Sequence, residues 1–485
     1  MGDNFFPTGA EYFRILPEMI LTVAGTLIMF FEAVLPESAK RMLGPLSVAG
    51  LAAALCAALA ANNNPGPAFQ NMLVIDGFAT FFRVLVIAVG LLAVFGSTEY
   101  LRREQSTGGE FYALILFSVV GQCVMSTANE LIMIFIGLEI SSIATYILAG
   151  YLRDDPRNNE SALKYFLLGS FATAFLLYGI AWIYGITGST NLVEIRRVLI
   201  SAAAPPLVLT GTSAALMFVG FGFKISVAPF QIWAPDVYQG APAPVAAFLS
   251  VGPKAAAFAI LLRVFTTAFG SIAVRWEPFV WGCALATMIV GNFAALQQSN
   301  IKRMLAYSSI AHAGYVLVAV TAHSDVGGAA AMFYLAAYAF TNFGAFAVVT
   351  YFSRKGEKYV SIDDFAGLAQ RQPAMAAMLA IFLMSLIGVP LTGGFFGKFY
   401  IFKAALDADL VWLTVLGLLN SAVAAFYYLR ILVVMYMNEP GASVADLPPV
   451  DGAMKIAVYG SAVATLVLGI FPSLVLDFAS KAALK

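Results

Sequence analysis

The chain predicts an all-α polytopic membrane protein of about fourteen transmembrane helices, the seventh and twelfth of them broken. Three observations carry that class. Of 485 residues, 61% are hydrophobic and only 11% are charged, where soluble domains run at roughly 25% charged. The apolar residues gather into fourteen stretches, each near the ~20 residues a helix needs to cross a bilayer. Two of the stretches are cut by proline and glycine five crossings apart. A five-crossing displacement reverses the crossing direction, so a pair of broken helices at that interval points to inverted repeats around an ion site.

Taken in order, the expected crossings are 14–35, 42–61, 73–97, 110–127, 129–151, 161–186 and 207–228, then 242–269, 273–297, 301–322, 327–353, 374–403, 408–437 and 453–476. Asp3 and Glu11 precede the first run without a small-residue cleavage site, which predicts a retained helix. The connections at 62–67, 102–109, 153–160, 354–364 and 439–449 are polar or rich in proline and glycine. Lys and Arg mark cytoplasmic loops. Lys40 and Arg41, Arg102 and Arg103, Arg153 and Arg157, Lys302 and Arg303, and the group Arg354, Lys355 and Lys358 all fall in odd-numbered connections. Arg196 and Arg197, Arg263 and Arg275, and Lys403 fall in the even ones. The bias predicts both termini on the periplasmic side.

The seventh crossing ends in Phe223-Lys224-Ile225-Ser226-Val227-Ala228-Pro229-Phe230 and runs on through Trp233, Pro235 and Asp236. The twelfth contains Gly388-Val389-Pro390-Leu391-Thr392-Gly393-Gly394 ahead of Lys398. Proline removes an amide donor and glycine adds freedom. Unwound backbone at membrane depth survives only inside protein or along a wet cavity.

Composition also excludes functions. Zero net charge and short basic clusters give no footprint for nucleic acid. Cys56, Cys123 and Cys283 are scattered through apolar segments, without a CxxC pair or a Cys/His cluster. Iron–sulfur, haem and structural zinc sites are therefore not expected. No GxGxxG or P-loop run is present, so nucleotide chemistry falls to another polypeptide.

Buried charge carries the chemistry. A charge at the bilayer centre costs roughly 2.5–3.5 kcal/mol and needs a partner, water or a task. Lys254 has eleven apolar or small residues before it and eight after it before Arg263, so snorkelling to the interface is hard. Lys224 and Lys398 lie beside the two interruptions, and Glu139 lies mid-way along the fifth crossing. A lysine can shed its proton when desolvated, and an arginine cannot. A buried Glu–Lys pair keeps both groups charged, and separating the pair changes proton affinity, so Glu139 with Lys224 forms a candidate switch. The plainer reading of each is a static ion pair or an interfacial side chain. His312, mid-way along the tenth crossing, is a candidate relay or an ordinary buried imidazole, with Tyr307, Ser308 and Ser309 as possible bridges. His323, Glu32, Asp76, Glu99, Arg263 and Arg430 read as helix-end residues, and Asp236 as a loop residue dipping toward a cavity.

With these residues in view, the chain resembles the antiporter-like membrane subunits of respiratory complex I, a family shared with Mrp-type cation/proton antiporters. The likeness is carried by the runs 223–242, Gly252-Pro253-Lys254, 298–310 and 388–399, and extends over nearly the whole length. Lys398 and the end of the chain soon after the last crossing fit the subunit N branch rather than the longer L branch. The resemblance implies two inverted five-helix repeats, at 110–269 and 273–437, between an N-terminal three-helix segment (1–109) and a C-terminal helix (453–485). It implies a Glu139–Lys224 pair, with Lys254 and Lys398 as further proton carriers. It implies a hetero-oligomer with other membrane-arm subunits in a bacterial inner membrane. No cofactor is expected on this chain; NADH, FMN, iron–sulfur clusters and quinone are expected in partner subunits. Two alternatives remain at this point: a subunit of an Mrp-type sodium/proton antiporter, and a membrane-arm subunit that passes no protons.

Overall fold

The computed structural model describes residues 6–106, 108–201, 205–445 and 447–484; Asp3 lies outside them. Among these residues, thirteen helices are long and apolar enough to cross a membrane. They are α1 (Leu16–Val34), α2 (Glu37–Ala61), α3 (Gly77–Arg103), α4 (Gly109–Thr127), α5 (Leu131–Ala149), α6 (Pro156–Thr187) and α7 (Leu207–Ile225). After them come α8 (Ala243–Ala268), α9 (Ala273–Leu296), α10 (Ile301–Thr321) and α11 (Asp325–Ser353). The twelfth crossing, α12, consists of two halves, Pro373–Ile387 and Gly393–Asp407, each too short to span alone. The last two are α13 (Val411–Met437) and α14 (Gly452–Ile470).

Helix starts follow local chemistry. The first amides of a helix lack intrahelical partners and take side-chain acceptors. Asp76 caps α3, Glu130 caps α5, Asn300 caps α10, Ser324 caps α11 and Asp451 caps α14. Several sequence boundaries need correction. Leu73–Ile75 is not helix: it pairs antiparallel with Gly66–Ala68, and α3 begins after Asp76. A short amphipathic helix, Leu192–Leu199, fills the connection after α6. The crossing expected as unbroken over 242–269 is interrupted: Ala243–Leu249 ends at Ser250, and a new helix starts at Gly252 with Pro253 in its first turn. Pro253 has no amide to give and is favoured at a helix start, where that amide would lack a partner anyway. That makes α8 a third broken crossing, which then closes in a π-helical turn at Val264–Ala268.

The odd-numbered connections bond to one another. Glu104 accepts the Gly356 amide, Arg157 reaches the Gly356 carbonyl, Arg354 the Ser443 carbonyl, and Lys302 pairs with Glu357. The even-numbered connections do the same on the opposite face, through Asp76–Arg263 and the Glu130–Asn191 bridge. The strict alternation expected of consecutive crossings is thus present.

Packing follows a repeated scheme. α4 packs on α5 and on α8 as α9 packs on α10 and on α13, and α6 packs on α7 as α11 packs on α12. In the α4–α5 pair, Gly121 and Gly137 face each other's backbone so closely that a Cβ on either would collide. Small residues of this kind let helices approach where lipid provides no hydrophobic drive. α8, α10 and α11 are buried almost all round and form the centre of the molecule.

Candidate functional site

Lys224 sits in the last turn of α7, where the helix ends at Ser226 in the left-handed region (φ 60°). Its ammonium donates to the Tyr146 hydroxyl at 3.5 Å. It also lies 4.9 Å from the Tyr146 ring centre and 5.0 Å from that of Tyr165, a cation–π cradle. Trp233, just past the break, stacks on Tyr165 at 4.5 Å and donates its indole N–H to the Phe223 carbonyl at 2.8 Å. The broken segment therefore folds back as a wall over Lys224.

Glu139 of α5 lies within electrostatic reach of Lys224, and no ion pair closer than 4.0 Å joins the two. Tyr146, about two helical turns along from Glu139, is what Lys224 touches instead. One Glu139 carboxylate oxygen is buried without a hydrogen-bond partner.

Lys254 is 2% exposed and follows the α8 break. Its ammonium bonds the Ser309 carbonyl at 3.1 Å and also the Ser309 hydroxyl. No carboxylate lies within ion-pair distance of it among the described residues. The Tyr238 and Tyr338 hydroxyls lie near the Ser309 hydroxyl, and Tyr238 packs edge-on against Trp233 at 5.9 Å. Neither tyrosine hydroxyl makes a hydrogen bond, so the Trp233–Tyr238 wall adjoins Lys254 by packing rather than by a bonded chain.

His312, one turn further along α10, is fully engaged. Its Nδ1 shares a 2.6 Å hydrogen bond with Tyr334, and its Nε2 a 3.2 Å bond with Tyr428. The Tyr428 hydroxyl also bonds Ser308. Ser308 thus reaches His312 by way of Tyr428, whereas Tyr307 lies beneath Arg303, at 5.7 Å.

Lys398, in the second half of α12, reaches back across its break. It donates to the Leu386 and Ile387 carbonyls, both at 2.9 Å, and to Ser421 at 2.8 Å. Those carbonyls are orphan acceptors at the negative end of the first half-helix. The ammonium stands 4.9 Å from the Tyr315 ring centre, and Tyr315 packs against His312 at 5.5 Å. Lys224, Lys254, His312 and Lys398 accordingly form one buried row, with tyrosine and serine hydroxyls and aromatic faces between them and the half-buried Glu139 beside its Lys224 end.

At the Lys/Arg-rich face lies a polar cavity of about 290 Å³, lined by Arg157, Lys164, Asp236, Arg303 and Glu357. Asp236 accepts from Lys164 and from Arg303, both at 2.7 Å. Burial pushes its carboxyl up, but these two cations outweigh that and hold it below the ordinary carboxylate range. Among the described residues, no group of three or more His, Cys, Asp or Glu side chains could hold a metal ion.

Sequence reasoning passed over several residues. Arg83 is fully buried in α3 and pairs with Glu18 of α1 at 2.7 Å. Arg263 and Asp76, read as separate helix-end residues, bond each other at 2.9 and 3.0 Å. Tyr146, Tyr334 and Tyr428 left one signal only: tyrosines placed mid-way along apolar stretches, whose hydroxyls need partners.

Comparison with known proteins agrees with this architecture. Residues 128–424 match the family described as NADH:quinone oxidoreductase/Mrp antiporter, transmembrane. The chain is 63% identical over 470 residues to NADH-quinone oxidoreductase subunit N 1 of Solibacter usitatus, covering 97% of this chain and 96% of that protein. It is 48% identical to NADH-quinone oxidoreductase subunit N 2 of Koribacter versatilis, covering 98% and 97%. A chain of respiratory complex I from Thermus thermophilus superposes with a TM-score of 0.80 at 35% identity, over 96% of this chain and 99% of that one. A chain of the Mrp complex from Dietzia shares the fold, with a TM-score of 0.84 at 21% identity.

Proposed function

This chain belongs to the antiporter-like NADH–quinone oxidoreductase family, on its subunit N branch, and is a proton-translocating membrane-arm subunit of that translocase; from that premise we propose that its protons travel along the buried row from Lys224 to Lys398. The subunit works within a multi-subunit complex of a bacterial inner membrane.

In this reading the Lys/Arg-rich face is cytoplasmic, both termini are periplasmic, and residues 110–269 and 273–437 are the two inverted repeats. The corresponding packing of α4–α8 and α9–α13 supports that division. Protons arrive through the polar cavity at Asp236 and load Lys224, with the Glu139 carboxylate setting how favourable the charged form is. They pass by the Trp233–Tyr238 wall and Ser309 to Lys254, then by Ser308, Tyr428 and His312 to Lys398. NADH, FMN, iron–sulfur clusters and quinone belong to partner subunits, whose redox chemistry supplies the energy.

The single observation that carries this reading is the continuity of the row. Three desolvated lysines with no carboxylate in direct contact are costly as static structure. With hydroxyls and aromatic faces between them, they are suited to passing charge. The Lys224→Ala chain, assembled in its complex, should lose proton pumping and coupled NADH oxidation together. Unchanged pumping in a correctly assembled complex would remove Lys224 from the path.

A further inference from the structure

Two adjacent side chains of α11 join the α8 break to the α12 break. The Asn342 amide nitrogen donates to the Ser250 hydroxyl at 2.7 Å. Ser250 closes the segment Ala243–Leu249, one turn before Lys254. The Thr341 hydroxyl bonds that of Ser385 at 3.1 Å. Ser385 lies in the last turn of the first half of α12, and its hydroxyl accepts the Gly394 amide of the second half at 3.1 Å. The Gly394 amide is one of the orphan donors of a helix start, so Ser385 caps one half while belonging to the other. Lys398 bridges the same gap in the opposite direction. Ser250, Thr341, Asn342 and Ser385 are all at most 1% exposed.

Neighbouring residues on a helix point roughly 100° apart yet share one rigid backbone. α11 is buried along nearly all its length, so it cannot shift at Asn342 and stay still at Thr341. The Asn342 carbonyl oxygen has no hydrogen-bond partner, and neither has that of Gln122, which faces Gly252 across the same break.

We propose that Thr341 and Asn342 are positioning residues: a hydrogen-bonded crosspiece through which the α8 break beside Lys254 and the α12 break beside Lys398 respond together. The link stands on geometry. Only its consequence for pumping rests on the reading that the lysines carry protons.

Hydrogen–deuterium exchange on the purified complex tests it. Ser250→Ala should speed amide exchange at residues 386–394 by about two- to tenfold, the shift expected for losing one buried hydrogen bond. In a Thr341→Val chain, adding Ser250→Ala should produce no further change there. Faster exchange confined to residues 249–254, with 386–394 untouched, would overturn the crosspiece. If Ser250→Ala fails to assemble, Asn342→Leu gives the same reading. The protons moved per NADH should fall in both variants. Coupled exchange with an unchanged proton ratio would uphold the crosspiece and count against the lysines as carriers.

Discussion

At the scale of the residue, each charged group of the row is held by groups that cannot themselves take its charge. Lys398 is fixed by two carbonyls and the Ser421 hydroxyl, and Lys254 by one serine. An arginine keeps its proton under all ordinary conditions. Lys398→Arg should therefore leave the complex assembled on a native gel but abolish proton pumping in vesicles. Persistence of pumping would show that the residue need not titrate. Tyr428 joins Ser308 to His312. Tyr428→Phe removes that joint without changing the ring, and proton-coupled turnover should fall about two- to tenfold, the range one hydrogen bond represents. A turnover equal to that of the unaltered chain would place the proton route elsewhere. Ser308 and Ser309 stood out beside His312, but Tyr428, Ser421 and the carbonyls that hold Lys398 were not readable from spacing. A lysine in an apolar stretch announces itself, but the hydroxyl that meets it comes from a helix far away in sequence.

At the scale of the element, the breaks place the lysines. Proline and glycine runs announced those of α7 and α12. The α8 break passed unseen because Gly252-Pro253 lies inside an otherwise uniform apolar run, and proline at a helix start leaves the same trace as proline at a tolerated kink. Gly388 shows what a break demands of sequence. It has φ +97°, and a Cβ there would come 3.2 Å from Lys398 Cδ. Gly388→Ala should cost about 1–2 kcal/mol from the left-handed backbone alone and displace Lys398 as well. Thermal unfolding together with pumping would measure both losses, and a fully active, equally stable variant would contradict this account of the break. The short helix Trp233–Gly240 after the α7 break is pinned through Asp236 to α6 and α10. Because the Asp236 carboxyl is held below its ordinary range, its ion pairs contribute fully above that range and are lost only as pH falls through the lowered value. The stability difference between the unaltered chain and Asp236→Asn should be flat from pH 6 to 8 and shrink only below about pH 4. A difference that varied across neutral pH would show another group titrating in the cavity.

At the scale of the whole molecule, one loop gathers one face. Glu357, between α11 and α12, takes the Lys302 ammonium from α10, the Ala243 amide from α8 and the Tyr100 hydroxyl from α3. Lys302 has no exposed side-chain surface, so Glu357→Ala would strand a buried charge at a cost of about 3–5 kcal/mol. The yield of assembled complex and its melting temperature should both drop, and an unchanged melting temperature would mean that water replaces the carboxylate. Composition and periodicity were enough to determine the membrane class, the number of crossings, the alternation of the connections and the buried lysines Lys224, Lys254 and Lys398, though not buried Arg83, Arg263 or Lys302. Crossing a bilayer is a local requirement, met within some twenty consecutive residues, and a charge inside such a stretch is conspicuous wherever its partner lies. Only the tertiary structure decided that Lys224 meets Tyr146 rather than Glu139, that Ser309 receives Lys254, and that Arg263 closes on Asp76. Those contacts join residues tens to hundreds of positions apart, and helix packing selects them from many hydroxyls and carboxylates that look alike in sequence.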